Sequence, residues 1–224
     1  NNTDTNNSTI RRLVEDAIAE AIAILESDDI PSGEEVTTVV ANQHKKWGNE
    51  YFSQQQWTDA YRHYTSAIET NPHDATYYSN RSACLLSMKQ PHDALVDAII
   101  ARTLRPDWSK AYYRVAMAFL AIVQQQQQQK QQELYSALDS VEQEHDVIHS
   151  NHYDINNNNN NNHNNNIDNI EEEEEDNDMD YVCEEAVMNS WIGLQYDPTN
   201  GPLKDVLQQA AQLGRQFYHR SRSK

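Results

Sequence analysis

The most constraining feature of this 224-residue sequence is a repeat with a period of 34 residues. Asn71-Pro72 and Arg105-Pro106 each close a helical pattern of apolar residues, and the two prolines are 34 positions apart. Proline disfavours helical geometry in the residue that precedes it, so both sites predict the end of a helix. Such a period is typical of helix–turn–helix units that stack into a solenoid. Because the chain also has only 5 Gly, the sequence predicts an all-α fold.

Small residues recur where the two helices of a unit must approach each other closely. The first unit begins at Ala41 and carries Gly48, Ala60 and Ala67, and the second unit begins at Ala75. This spacing resembles the tetratricopeptide repeat (TPR) family. The resemblance implies a TPR α-solenoid of three helix–turn–helix repeats followed by a capping helix.

The third unit, which begins near Ser109, is interrupted by a long insertion. In the first unit 8 residues separate Tyr51 from Ala60, whereas 66 separate Phe119 from Ala186 in the third, so about 58 residues have been added. The position corresponds to the turn between the two helices of the repeat. A turn tolerates an insertion because loop-closure entropy grows slowly with loop length.

Composition divides the chain into four predicted segments. Residues 1–40 are an acidic N-terminal segment with one amphipathic helix, and residues 41–123 hold repeats 1 and 2 and the first helix of repeat 3. Residues 124–180 are the low-complexity insertion. Residues 181–224 hold the second helix of repeat 3 and the capping helix, which covers the last exposed face of a solenoid.

The insertion itself contains three kinds of biased sequence. The glutamines 124–129 are expected to prolong the preceding helix, and a further amphipathic helix is expected to reach about Ile148. The asparagines at 156–166 should be disordered, and the acidic run 171–180 is expected to be a solvated tether.

The charge of the chain is concentrated outside the repeats. The net charge is −18, but residues 41–119 carry 9 basic and 7 acidic residues, while residues 120–180 carry 1 basic and 15 acidic residues. An overall acidic chain argues against a nucleic-acid partner. The longest apolar stretch is too short to span a membrane, and no signal peptide is visible. Cys84 and Cys183 alone do not make a disulfide framework, so a reducing, cytoplasmic location is expected.

Five residues are predicted to share one surface. Lys45 and Asn49 are four apart and therefore lie on one helix face, and Lys110 and Arg114 repeat this spacing. Asn80 and Arg114 are 34 apart, so they occupy the same position in successive units. Three cationic groups and two amides in register predict a groove for an acidic peptide, because charge-assisted hydrogen bonds to carboxylates are strong.

The five residues resemble the two-carboxylate clamp of co-chaperone TPR domains, as in the Hsp-organising protein/stress-inducible phosphoprotein family. The resemblance rests on the strings 45–49 (KKWGN), 78–82 (YSNRS) and 106–114 (PDWSKAYYR). It implies that the partner is the Glu-Glu-Val-Asp tail of cytosolic heat-shock chaperones of the seventy and ninety kilodalton classes.

The resemblance also implies a role for each clamp residue. Lys45, Asn49 and Asn80 would hold the carboxylates of the terminal Asp. Lys110 would reach the side chain of that Asp, and Arg114 would contact the peptide further upstream.

Two other functions remain open at the level of sequence. The chain could be the TPR targeting module of a larger enzyme, such as a peptidyl-prolyl isomerase, a phosphatase or a ubiquitin ligase, and the absence of an initiator Met leaves this open. It could also be a generic TPR scaffold for protein interactions. No catalytic residue, metal site or cofactor is predicted. No phosphate loop or nucleophile elbow is found. His145, His149 and His152 have a spacing loosely like that of metal ligands, but they lie in or beside the segment expected to be disordered.

Overall fold

The repeat pattern folds into a series of paired helices. The computed structural model describes the backbone of residues 5–27, 34–150 and 168–222, with side chains in 9–27, 36–137, 179 and 181–216. The regular structure of these ranges is helical throughout, which confirms the all-α prediction. The helices are α1 (Thr5–Glu26), α2 (Glu34–Ser53), α3 (Trp57–Thr70), α4 (Ala75–Ser87), α5 (Pro91–Leu104), α6 (Ser109–Ser150), α7 (Asp168–Tyr196) and α8 (Gly201–Arg222).

Three antiparallel pairs, α2–α3, α4–α5 and α6–α7, correspond to the three predicted repeats. The first helices of successive repeats also contact each other, α2 with α4 and α4 with α6. We call the surface that α2, α4 and α6 form together the groove. Helices α3 and α5 end one residue before Asn71 and Arg105, which precede the two prolines, as the sequence predicts.

A glycine allows the first pair of helices to pack closely. A Cβ atom added to Gly48 would lie 2.6 Å from Cε1 of Tyr64, which is too close for any side chain. Ala60 and Ala67 on α3 are fully buried for the same reason. The ring of Tyr64 therefore lies directly against the backbone of α2, and this position brings its hydroxyl group to the groove.

Arg81 on α4 connects its helix with α5 through a buried ion pair and with α3 through a hydrogen bond. Arg81 on α4 donates two hydrogen bonds of 2.8 Å to the carboxylate of Asp97 on α5, which is 2% exposed. Arg81 also donates to Thr65 Oγ1 on α3, at 3.2 Å. This bidentate geometry satisfies the buried charges and fixes the relative positions of three helices.

Helix α6 does not turn where the first two repeats turn. The turns after α2 and α4 contain Gln55 and Lys89, 34 residues apart, with φ of 60° and 59°. The next equivalent residue is Val123, which is buried inside α6. A β-branched residue strongly resists positive φ, so the chain continues as a helix.

The insertion is therefore more helical than the sequence predicts. The glutamine run prolongs α6, which confirms that prediction, but the further helix expected near Ile148 is part of the same 42-residue helix. Residues 171–180, which the sequence predicts to be a solvated acidic tether, are part of α7. Their role as a tether stays a prediction. Glutamate favours helices, and negative charge near a helix N-terminus complements its dipole.

The asparagine run 156–166 lies outside the described residues. The predicted insertion boundaries, 124 and 180, fall inside α6 and α7.

The two terminal helices cover the repeats. Helix α1 packs on α5, where Ile10, Ala17 and Ala21 are buried in the core. Helix α8 packs on α7, with its N-terminus capped by Asn200, whose Oδ1 accepts a hydrogen bond from the Leu203 amide at 3.1 Å. Across the described ranges, none of the helices combines the length and the apolar character needed to cross a bilayer.

Candidate functional site

The five predicted site residues lie on the three helices that form the groove. Lys45 and Asn49 are on α2, Asn80 is on α4, and Lys110 and Arg114 are on α6. Lys45 and Lys110 form an outer tier near the start of each repeat. Asn49, Asn80 and Arg114 lie about one helical turn further along their helices, and we call them the inner tier.

Two hydrogen bonds fix the orientation of the Asn49 amide. Its Oδ1 accepts from the Tyr64 hydroxyl at 2.9 Å and from Asn80 Nδ2 at 3.2 Å. With its oxygen engaged, Asn49 presents its NH₂ group, and Asn80 keeps a second N–H for another acceptor. The inner tier is thus arranged as a set of donors.

Arg114 brings a partly dehydrated cation to the inner tier. Its guanidinium lies 5.5 Å from the ring centre of Tyr113, and its Nε is buried with no hydrogen-bond partner. Burial lowers the pKa of Arg114, while the Tyr113 and Tyr64 hydroxyls oppose this effect. In turn, burial raises the pKa of Tyr64, and the charge of Arg114 acts against that rise. A buried donor without a partner is costly, so this nitrogen favours an incoming acceptor.

Lys110 is positioned so that its charge is not compensated by the protein. Desolvation of its ammonium group, followed by the positive charge of Arg114, lowers its pKa, although the residue as a whole is exposed. Its Nζ lies 5.7 Å from the ring centre of Trp108. Among the described residues, neither Lys110 nor Arg114 forms an ion pair with a carboxylate. Two repelling cations at one place attract an anion.

The outer tier contains a carboxylate that the site prediction did not include. Asp74, the residue before α4, lies 4.0 Å from Lys45 Nζ and 4.0 Å from Arg105 Nη2. Lys45 Nζ is also 5.3 Å from the ring centre of Tyr77, and the Arg105 guanidinium stacks 4.6 Å from the ring centre of Trp108. Cations and aromatic rings therefore alternate along this edge of the groove.

These contacts form a continuous series of side chains along the groove. From Lys45 it passes through Asp74 and Arg105 to the Trp108 ring that Lys110 also faces. In the inner tier, the Tyr64 hydroxyl donates to Asn49 and interacts electrostatically with Arg114. The structure thus brings all five predicted residues to one surface.

Sequence reasoning missed two members of this arrangement. For Tyr64, no sequence signal indicates that its hydroxyl would meet Asn49. Asp74 has a recognisable signal as a helix N-cap, and its Oδ1 accepts from the Thr76 amide at 2.8 Å. That signal does not reveal its contacts with Lys45 and Arg105.

The arrangement suits an acidic ligand rather than a metal ion. The converging groups are N–H donors and cations, which bind carboxylates. In the parts of the chain that the structure describes, no group of three or more His, Cys, Asp or Glu residues could hold a metal ion.

Comparison with curated proteins finds relatives that match about one third of this chain. The chain is 45% identical over 74 residues to the protein STIP1 homolog of Dictyostelium discoideum, covering 33% of this chain and 13% of that protein. It is 37% identical over 86 residues to the Hsp70-Hsp90 organizing protein of Triticum aestivum, covering 38% and 15%. The human WD and tetratricopeptide repeats protein 1 is 40% identical over 75 residues, covering 32% and 11%. The chain thus matches only about one seventh of the length of these relatives or less. No protein-family model matches the chain.

Solved structures with similar folds are TPR domains. The Arabidopsis OM64 TPR domain has a TM-score of 0.51 with 19% identity, covering 79% of this chain and 98% of that domain. The first TPR domain of human RPAP3 has a TM-score of 0.52 with 19% identity, covering 80% and 96%. At this identity the likeness establishes the fold, and it confirms the α-solenoid of TPR type.

Proposed function

We propose that this chain, whose fold is that of the tetratricopeptide repeats, is a co-chaperone adaptor that binds the acidic C-terminal tail of heat-shock chaperones. The ligand would be a Glu-Glu-Val-Asp end of the seventy or ninety kilodalton class, held by a two-carboxylate clamp. Lys45, Asn49 and Asn80 hold the terminal Asp in this proposal. Lys110 reaches its side chain, and Arg114 contacts the peptide upstream.

One observation carries the proposal: on the groove, the Arg114 Nε, the Lys110 ammonium and the Asn49 NH₂ group have no acceptor among the described residues. Arg114 Nε is buried and unpartnered, and Asn49 is oriented so that its NH₂ group is available. Burial lowers the pKa of both Lys110 and Arg114, and the charge of Arg114 lowers the pKa of Lys110 further. Among the described residues, neither cation forms an ion pair with a carboxylate. A free chain end with an acidic side chain supplies two carboxylates to these groups at once.

The relatives support the same function. One of them is named an Hsp70-Hsp90 organizing protein, and another is named a STIP1 homolog. A TPR domain of similar fold, the first of Spaghetti (RPAP3), was solved with the HSP90 peptide SRMEEVD, with a TM-score of 0.50. The five clamp residues and these names lead to the same ligand class.

A cytoplasmic location is part of the proposal. The tails of this class belong to cytosolic chaperones. The sequence adds to this that two cysteines do not make a disulfide framework, as is usual in a reducing compartment.

The alternative is that the same groove serves as the targeting module of a larger protein, including an enzyme, or as a general TPR scaffold. The similarity to the WD and tetratricopeptide repeats protein 1 supports this alternative, since the name of that protein combines such repeats with WD repeats. As an isolated unit, the chain acts as a non-enzymatic adaptor in our proposal.

Calorimetric titration with two peptides tests the clamp directly. Peptides that end in Glu-Glu-Val-Asp should bind as the free acid, and amidation of the terminal carboxylate should weaken binding by at least about tenfold, because charge-assisted contacts are lost. Lys45→Ala and Arg114→Ala should each cause a similar loss. The matched controls, Lys204→Ala and Arg215→Ala, change the same residue types at exposed positions of α8 and should bind as the wild type does.

Two results would contradict the clamp. Equal affinity for the free acid and the amide would favour a general scaffold that recognises internal segments. Normal binding by both Lys45→Ala and Arg114→Ala, with correctly folded protein by circular dichroism, would exclude the assigned residues.

A further inference from the structure

We infer that Asp74 is a counter-charge within the groove, which weakens binding of an acidic tail and keeps a further cation, Arg105, engaged in the free protein. The inference rests on the proposed function, because it concerns the same ligand. It adds Asp74 and Arg105 to the site. Asp74 weakens binding of the tail, and Arg105 strengthens it when Asp74 does not engage it.

The geometry places Asp74 between two cations from different repeats. Its Oδ2 faces Lys45 Nζ at 4.0 Å and its Oδ1 faces Arg105 Nη2 at 4.0 Å. The Asp74 side chain is 26% exposed, so solvent screens these interactions only in part. A carboxylate of the protein thus occupies the neighbourhood in which Lys45 would meet a carboxylate of the ligand.

The negative charge of Asp74 is not required for its structural role. Its side chain caps α4 by accepting a hydrogen bond from the Thr76 amide. Asparagine caps a helix about as well as aspartate, through the same side-chain oxygen. The charge adds a small favourable interaction with the helix dipole, and this effect would appear as stability, not as affinity. The two effects can therefore be measured separately.

Arg105 is well placed to bind an anion once Asp74 no longer engages it. Its guanidinium stacks on Trp108 at 4.6 Å, which restricts its motion at the edge of the groove. Trp108 also faces Lys110 at 5.7 Å, so Arg105 lies on the same side of the site as a clamp residue. A guanidinium can donate two parallel hydrogen bonds to a carboxylate.

The test is the substitution Asp74→Asn in the full chain, titrated with the free-acid Glu-Glu-Val-Asp peptide. We expect about three- to tenfold tighter binding, because a like charge close to the ligand carboxylates is removed. The gain should shrink as salt is added. The control Asp16→Asn makes the same change of net charge on α1, where Asp16 is exposed beside Arg12, and should leave affinity unchanged.

Arg105→Gln completes the test in both backgrounds. In the wild type it should change affinity by less than about twofold, because Asp74 already engages Arg105. In the Asp74→Asn background it should remove most of the gain. This non-additivity is the signature of coupled residues.

Each outcome decides a separate question. If the wild type binds the peptide and Asp74→Asn binds equally or more weakly, the inference is overturned and the proposed function stands. If neither protein binds, both are overturned, whereas binding by Asp74→Asn alone supports the counter-charge. If Arg105→Gln weakens both backgrounds equally, Arg105 is an ordinary clamp residue and its engagement by Asp74 is refuted.

Discussion

At the scale of single residues, the groove depends on groups that hold the clamp residues in place. The Tyr64 hydroxyl and the Asn80 amide both donate to Asn49 Oδ1, so the amide of Asn49 has one orientation. Tyr64 reaches Asn49 because Gly48 allows its ring to lie against α2. A preorganised donor binds more strongly than one that must first rotate into place.

The substitution Tyr64→Phe should therefore weaken tail binding about three- to tenfold, which corresponds to one hydrogen bond, while the buried ring keeps its packing. Calorimetry would measure the affinity, and thermal unfolding would report any loss of stability. Tyr61→Phe removes a hydroxyl from a partly buried tyrosine of the same helix and should have no effect on affinity. Unchanged affinity in Tyr64→Phe would show that Asn49 does not need this contact.

The grouping of the five proposed clamp residues on one surface could be predicted from helical spacing and the 34-residue period, which indicate the positions that face the same way. The roles of Tyr64 and Asp74 could not, since they depend on the distances between helices. A hydroxyl on a packing residue and a carboxylate at a helix start have common structural uses. Only the packing against Gly48 and the approach of Lys45 give them a place in the groove.

At the scale of elements, α1 is an addition to the repeats that stabilises their second helices. Its apolar stripe predicted an amphipathic helix, but a stripe does not specify its partner. The structure docks it on α5, away from the groove, with Ala17 buried in the main core. Arg11 also lies 4.5 Å from the ring centre of Tyr181 on α7, so α1 connects two repeats.

A matched pair of substitutions tests this docking. Ala17→Glu should lower the free energy of unfolding by about 2 kcal/mol or more, because it places a charge in an apolar contact. Ala19→Glu, on the exposed face of the same helix, should stay within about 0.5 kcal/mol of the wild type. Urea denaturation would give both values. Equal stability of the two variants would mean that α1 does not pack on α5 in solution.

The helical backbone of the insertion also belongs to this scale. Low complexity and acidity predict a solvated tether, and glutamine and glutamate are also good helix formers. Two further conditions decide the outcome: Val123 prevents the usual turn, and the acidic residues lie at the start of α7. The first condition becomes visible only when the turn residues of the repeats are compared by their backbone angles.

At the scale of the whole molecule, the solenoid and the extension of its third repeat are separate parts. The main core includes Val123 on α6 and Met179 on α7, and the described side chains of 127–137, beyond it on α6, are exposed. The groove is formed by residues on the core side of this limit. The negative charge of the chain is concentrated beyond it.

Replacing residues 128–174 with a short Asn-Gly turn should therefore preserve the repeats. We expect a melting temperature within a few degrees of the full chain and tail affinity within about twofold, since no clamp or core contact is removed. Differential scanning calorimetry and peptide titration would measure these values. A large loss of either would show that the extension supports the groove.

The continuity of α6 has a mechanical consequence. The helix has 42 residues, with Lys110 and Arg114 in its first two turns, so about 60 Å of rigid rod leads from a captured tail to Ser150. Whatever is joined to the far end of α6 is held at a fixed distance from the groove. Each glutamine added to the run would push that end outward by about 1.5 Å and swing it by about 100° around the axis. The length of the glutamine run thus sets the distance of the far end of α6 from the groove and its direction around the helix axis.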